Sequence, residues 1–167
     1  MSVVKASCME SASPDEDDTA QGAERIQAMA GFDGDDGSIA EARRVAGAFL
    51  GRARSRHRVP VSVRAVDVTQ LVVSELVTNA RKYAPGPVLM DLRIVGDTVE
   101  IAVWDSDQRL PAPQAPDPER LGRHGLEIVL ALVESYEVTR EPVGKRVTVR
   151  ISLRDTPHGA ADRPLAA

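Results

Sequence analysis

An α+β fold of two layers, a mixed and mostly antiparallel sheet covered on one face by about three helices, is what this sequence predicts. Three observations predict it. Val88 to Val95 and Thr98 to Trp104 carry alternating apolar residues on either side of Gly96-Asp97, the pattern of a hairpin. Tyr136 to Arg140 and Lys145 to Leu153 repeat that pattern across Pro142-Val143-Gly144. Apolar residues at helical spacing occur twice before the first hairpin and once between the two.

The elements follow in order. Residues 1–36 are rich in Ser, Asp, Glu, Gly and Ala and are expected to form a disordered acidic tail, because they offer little apolar surface to bury. Ser38 with Glu41 three residues on has the pattern of a capping box. Ile39, Ala42, Val45, Ala46, Phe49 and Leu50 then mark a first helix that ends between Gly51 and His57, with Arg43, Arg44, Arg52, Arg54, Arg56 and Arg58 as a basic face. Val59-Pro60-Val61 breaks the chain, and the second and longest helix runs from about Val61 to Tyr83, where Pro85-Gly86-Pro87 stops it. After the first hairpin, prolines 111, 113, 116 and 118 mark a stiff, extended loop. Gly122-Arg123-His124-Gly125 opens a third helix, and residues 155–167 are expected to be a second tail. The folded unit is thus expected over residues 37–154.

Composition narrows the function. Apolar residues make up 43% of the 167, so the chain can bury a full core, and aromatics make up only 3%, so Val, Leu, Ile and Ala must build it. The net charge of −4 divides unevenly: residues 1–36 carry −7 and the remainder +3. The body is too weakly basic for a nucleic-acid surface. Cys8 is the single cysteine, which excludes an intrachain disulfide and a cysteine-based metal site. His57, His124 and His158 lack the spacing of metal ligands. With no opening apolar run and no membrane span, the expected location is the cytoplasm.

Glu75 and Asn79 stand one helical turn apart in Leu71-Val72-Val73-Ser74-Glu75-Leu76-Val77-Thr78-Asn79-Ala80. On a helix with so many apolar neighbours, a carboxylate and a carboxamide need partners, which a solvated helix edge, a cation, a water or a phosphate would all provide. Asn offers a metal a neutral oxygen, and Glu can orient or deprotonate a hydroxyl. Asp105 ends an apolar strand, where a carboxylate either starts a turn or accepts from an exocyclic amine. The Gly122–Gly125 loop presents bare amides ahead of a helix, a setting that attracts anions, with Arg123 and His124 to add charge-assisted contacts.

The order of these clusters resembles the Bergerat-fold ATPases, the histidine-kinase-like superfamily of the gyrase, chaperone and histidine-kinase ATP-binding domains. The N box corresponds to Glu75-Leu76-Val77-Thr78-Asn79-Ala80, the G1 box to Val103-Trp104-Asp105-Ser106-Asp107 and the G2 box to Gly122-Arg123-His124-Gly125-Leu126. Within the superfamily the wording is similar to the anti-sigma-factor serine kinases over about residues 39–153. The resemblance implies that Asn79 ligates Mg²⁺ on ATP and that Glu75 is the general base or positions the attacking hydroxyl. It implies that Asp105 binds the adenine amino group and that Gly122, His124 and Gly125 cradle phosphate, with Leu126 behind them and Arg123 adding a charged contact. Lys82 is assigned to the phosphates and Thr148 to the adenine end. One departure stands out: Asp107 occupies the position where the family's G1 box has glycine.

The resemblance further implies a serine/threonine-protein kinase that regulates transcription. Its partners are a sigma factor and an anti-sigma-factor antagonist, without direct nucleic-acid or membrane contact, and it forms a homodimer. Two other functions are compatible with the same residues. One is a nucleotide-binding or degenerate protein-interaction module without kinase activity. The other is a detached histidine-kinase ATPase domain acting on a separate helical partner.

Overall fold

The computed structural model describes residues 25–83, 86–106 and 124–155. Five strands form one open sheet in the order β1-β2-β3-β5-β4, and every neighbouring pair is antiparallel. The strands are β1 Gln27–Phe32, β2 Val88–Val95, β3 Thr98–Asp105, β4 Ser135–Arg140 and β5 Lys145–Ser152. The helices are α1 Ser38–Arg56, α2 Val63–Tyr83 and α3 His124–Leu132. α1 packs over β1 and β2, α2 over β2, β3 and β5, and α3 against α2. The two-layer α+β architecture expected from the sequence is therefore the observed one.

The period of two sorts the strands. Val99, Ile101 and Val103 of β3 and Val147, Val149 and Ile151 of β5 turn toward the helices and are buried with Met90 and Leu92 of β2. Val72, Val73, Leu76, Val77 and Ala80 of α2, with Ala42, Ala46, Phe49 and Leu50 of α1, close the core from the other side. The core is aliphatic, as the scarcity of aromatics requires.

The sheet's outer face is polar and held by charge. Asp91, only 2% exposed, accepts from Gln27 Nε2 at 2.7 Å and from Arg93 Nη2 at 2.7 Å. The hydrogen bond to Asp91, and then its charge, raise the Arg93 pKa further above the ordinary arginine value. Arg150 donates to Glu100 at 2.9 Å, and the Arg146 guanidinium sits 5.9 Å from the Trp104 ring centre.

Two expectations are corrected. The acidic tail was expected to extend to residue 36, yet Gln27–Phe32 is a strand in full register with β2, from Gln27 opposite Arg93 to Phe32 opposite Val88. Ala28, Ala30 and Phe32 pack on the core, so alternate small residues seal the sheet edge under α1. Residues 1–24 and 156–167 lie outside the described residues. The second correction concerns the start of α1: Gly37, not Ser38, is the N-cap, and no side chain caps it. Asp35 supplies the local order instead, accepting at 3.0 Å from both the Gly37 N–H and the Ser38 hydroxyl.

Candidate functional site

The polar residues of α2 divide by what each reaches. Gln70 donates to the Arg43 carbonyl and ties α2 to α1. Ser74 and Thr78 donate back to the carbonyls of Gln70 and Ser74, at 2.8 and 2.6 Å, so their hydroxyls are satisfied within the helix. Arg81 turns off the last turn to the Gly34 carbonyl and the Asp36 carboxylate, both at 2.9 Å. Arg81 thus anchors the loop between β1 and α1. Thr69 is fully buried with no hydrogen-bond partner for its hydroxyl among the described residues, and Glu75 and Asn79 are half-buried at the margin of the buried stripe.

The Glu75 carboxylate lies against Gly125 in the first turn of α3. A Cβ placed on Gly125 would overlap Glu75 Oε2 and come within 2.8 Å of its Cδ. Glycine at this position leaves the Glu75 carboxylate room to lie against the start of α3. This contact brings Glu75 beside the start of α3. Leu126 follows, half-buried. His124 is the first residue of α3, while Gly122, Arg123 and Asp107 lie outside the described residues.

Asp105 closes β3 on the helix-facing side and is 6% exposed. Its Oδ2 stands 3.1 Å from the Lys145 ammonium, and Lys145 is its register partner on β5 and equally buried. A charge buried this far is costly unless paired, and each of these two pairs the other. Gly144, with φ +81°, turns the chain into β5 so tightly that a Cβ there would overlap the Asp105 carbonyl. The carboxylate read as an adenine acceptor is thus already engaged by a lysine that the sequence reading missed. Lys145 had a legible signal: it shares the parity of Val147, Val149 and Ile151, so β5 turns it inward.

A run of contacts places Asp105 at the same end of the domain as the last turn of α2. Arg81 holds Gly34, Gly34 touches the Gly86 carbonyl, and Gly86 faces the Ser106 hydroxyl beside Asp105. Lys82 is exposed on that last turn of α2. Thr148 is elsewhere. It alternates with the buried Val147 and Val149, sits opposite Ala102 and Glu137, and lines the outer face with Trp104 and Arg146. The whole thickness of the sheet separates it from the face that α2 covers. The expectation that Thr148 joins the site fails for this reason of parity.

The groups on the helix side suit a nucleotide carrying a divalent cation. Gly125 offers backbone without a side chain at a helix start, Glu75 a carboxylate against it, and Asn79 a neutral oxygen one turn further along α2. Mg²⁺ needs few protein ligands when phosphates supply the rest. Among the described residues no group of three or more His, Cys, Asp or Glu could hold a metal ion. Asn79 is the neutral oxygen donor here that could hold such a cation, which would offset phosphate charge. Tyr136, packed against the core from β4, has its pKa raised by burial. No described helix is long and apolar enough to cross a membrane.

These features can be set beside known proteins. Residues 32–151 match the model of the histidine kinase-like ATPase domain. Among solved structures, the RsbU and RsbW domains of Rv1364c from Mycobacterium tuberculosis superpose with a TM-score of 0.57 at 17% identity, over 78% of this chain and 33% of that one. This chain therefore spans about one third of that relative. The histidine kinase domain from the Erythrobacter litoralis EL346 blue-light activated histidine kinase gives a TM-score of 0.43 at 22% identity, covering 69% and 70% of the two chains. Acinetobacter baumannii histidine kinase AdeS gives 0.42 at 17%, covering 76% and 68%. No curated protein matches the chain. Because the family model accounts for most of its length, the chain belongs to the histidine kinase-like ATPase domain family, whose fold implies ATP binding, typically with Mg²⁺.

Proposed function

We propose that this protein is an anti-sigma factor with serine kinase activity, which binds ATP·Mg²⁺ between α2 and the start of α3. It transfers the γ-phosphoryl group to a serine of a small antagonist protein, and it holds a sigma factor when the antagonist is phosphorylated. The carrying observation is the placement of Glu75 against Gly125 with Asn79 one turn further along the same helix. The RsbW domain in the similar mycobacterial structure supports the regulatory reading. In the reaction, the serine oxygen takes the γ-phosphoryl group, its proton passes to Glu75, and ADP leaves. Asn79 holds the cation-bearing phosphates, and Gly125 lets them approach the backbone.

The test is incubation with γ-labelled ATP and candidate antagonists. Label that enters protein and survives acid supports serine transfer, whereas acid-labile label indicates a phosphohistidine and overturns it. Glu75→Gln is expected to keep nucleotide binding and to slow transfer by roughly two to four orders of magnitude, the range of a positioned base. Nucleotide binding with no transfer to any antagonist supports the second reading, a protein-interaction module.

A further inference from the structure

The end of the domain opposite Asp105 carries an arginine-rich surface, beside which Asp97 pairs with Arg154 and Asp155 lies near Arg54. From Arg52 to Arg64 the chain holds five arginines, at 52, 54, 56, 58 and 64, and no acid. All five are exposed, and none forms an ion pair among the described residues. Arg58 adopts φ 53°, the left-handed conformation that glycine or asparagine adopts with less strain at a helix end. The Val59 N–H returns to the Ala53 carbonyl at 3.1 Å and fixes this turn. Like charges crowded this way repel one another unless a counter-charge covers them.

The acidic part of the chain departs from the same end. β1 begins beside Ile94, whose N–H donates to the Ile26 carbonyl at 2.9 Å. The β2–β3 turn follows at once, its Asp97 carbonyl accepts from the Leu153 N–H, and the Leu153 carbonyl accepts from Ser62, between Arg58 and Arg64. α1 runs back along β1 from a start near Phe32, and its 19 residues span about 28 Å, enough to bring Arg52–Arg56 level with the start of the strand. Residues 1–24 carry six acids and one lysine, with four of the acids consecutive at Asp15-Glu16-Asp17-Asp18. Seven to ten residue steps lead from the four acids of that run to Arg25. At about 3.3 Å per extended residue they reach some 23–33 Å, against about 14 Å for the three strand spacings from β1 to β5.

We infer that the acidic segment Asp15–Asp18 docks on the Arg52–Arg64 surface of the same molecule and shields it. Opposite charge supplies the attraction, and the tether to β1 keeps the local concentration of the acidic run high. The surface lies at the far end from Glu75 and Asn79, so this strap is independent of nucleotide binding.

The test uses paramagnetic broadening of backbone amides. A nitroxide is attached through Ser13→Cys in a Cys8→Ser background, next to the acidic run. Selective loss of amide signal from residues 52–64 at low salt is expected. Recovery of that signal is expected at 1 M salt, where the screening length falls to about 3 Å. It is also expected when Asp15, Glu16, Asp17 and Asp18 are changed to Asn, Gln, Asn and Asn, which leaves the folded domain untouched. Broadening centred on the outer sheet face near Trp104, broadening spread evenly, or broadening that survives the neutral tail would overturn the inference. So would broadening seen only when spin-labelled and isotope-labelled molecules are mixed, which would make the occupant a second copy.

Discussion

Glu75 on α2 and Gly125 on α3 meet so closely that no side chain fits between them. The contact makes the glycine part of the carboxylate's setting. Gly125→Ala would meet the flexible end of Glu75 rather than fixed backbone, so the carboxylate would swing aside and the fold would survive. The expected outcome is a thermal midpoint lowered by no more than a few degrees, with phosphoryl transfer falling as far as it does in Glu75→Gln. A variant with full transfer would uncouple the two residues.

The buried pair of Asp105 and Lys145 should respond asymmetrically. Lys145→Met removes the ammonium from beside a buried carboxylate and is expected to destabilise by up to about 3–5 kcal/mol in chemical denaturation. Adding Asp105→Asn to that variant removes the buried carboxylate charge and is expected to recover part of the loss. Equal stability of the single and double variants would show that the pair does not share its burial cost.

Thr148 faces the other side of the sheet from α2. Thr148→Ala is therefore expected to leave nucleotide affinity unchanged within about twofold, since surface changes away from a site are usually within ±0.5 kcal/mol. Isothermal titration of wild type and variant checks this, and a tenfold loss would return Thr148 to the site.

Most of the architecture was legible because it rests on periodicity. The alternation in β2, β3 and β5 and the helical spacing in α1 to α3 all come from burial against a single core. β1 escaped because Gln27-Ala28-Met29-Ala30-Gly31-Phe32 holds small residues of low strand preference beside an acidic stretch, and only its pairing with β2 makes it a strand. The site was legible where one element carried it, as with Glu75 and Asn79. It was not legible where two strands had to be brought into register. Lys145 meets Asp105 only through the β3–β5 ladder, and that ladder turns Thr148 outward.

Burial of Tyr136 sets an alkaline limit. Its pKa is raised above the ordinary 10.0, so the folded state holds the phenolic proton more tightly than the unfolded chain does. That stabilisation is complete below about pH 10 and is lost as pH rises through the folded-state value. Denaturation midpoints measured from pH 8 upward are expected to fall above about pH 10, and the fall attributable to this group should vanish in Tyr136→Phe.

The most direct test of the nucleotide site is calorimetric titration of ATP with and without Mg²⁺ into the wild-type protein and Asn79→Ala. Saturable binding that needs Mg²⁺ in the wild type, and its loss in a variant whose thermal midpoint is unchanged, is the predicted result. Absence of binding in the wild type, or equal Mg²⁺-dependent binding in both proteins, would contradict the assignment of Asn79 and of the space beside Gly125 to ATP.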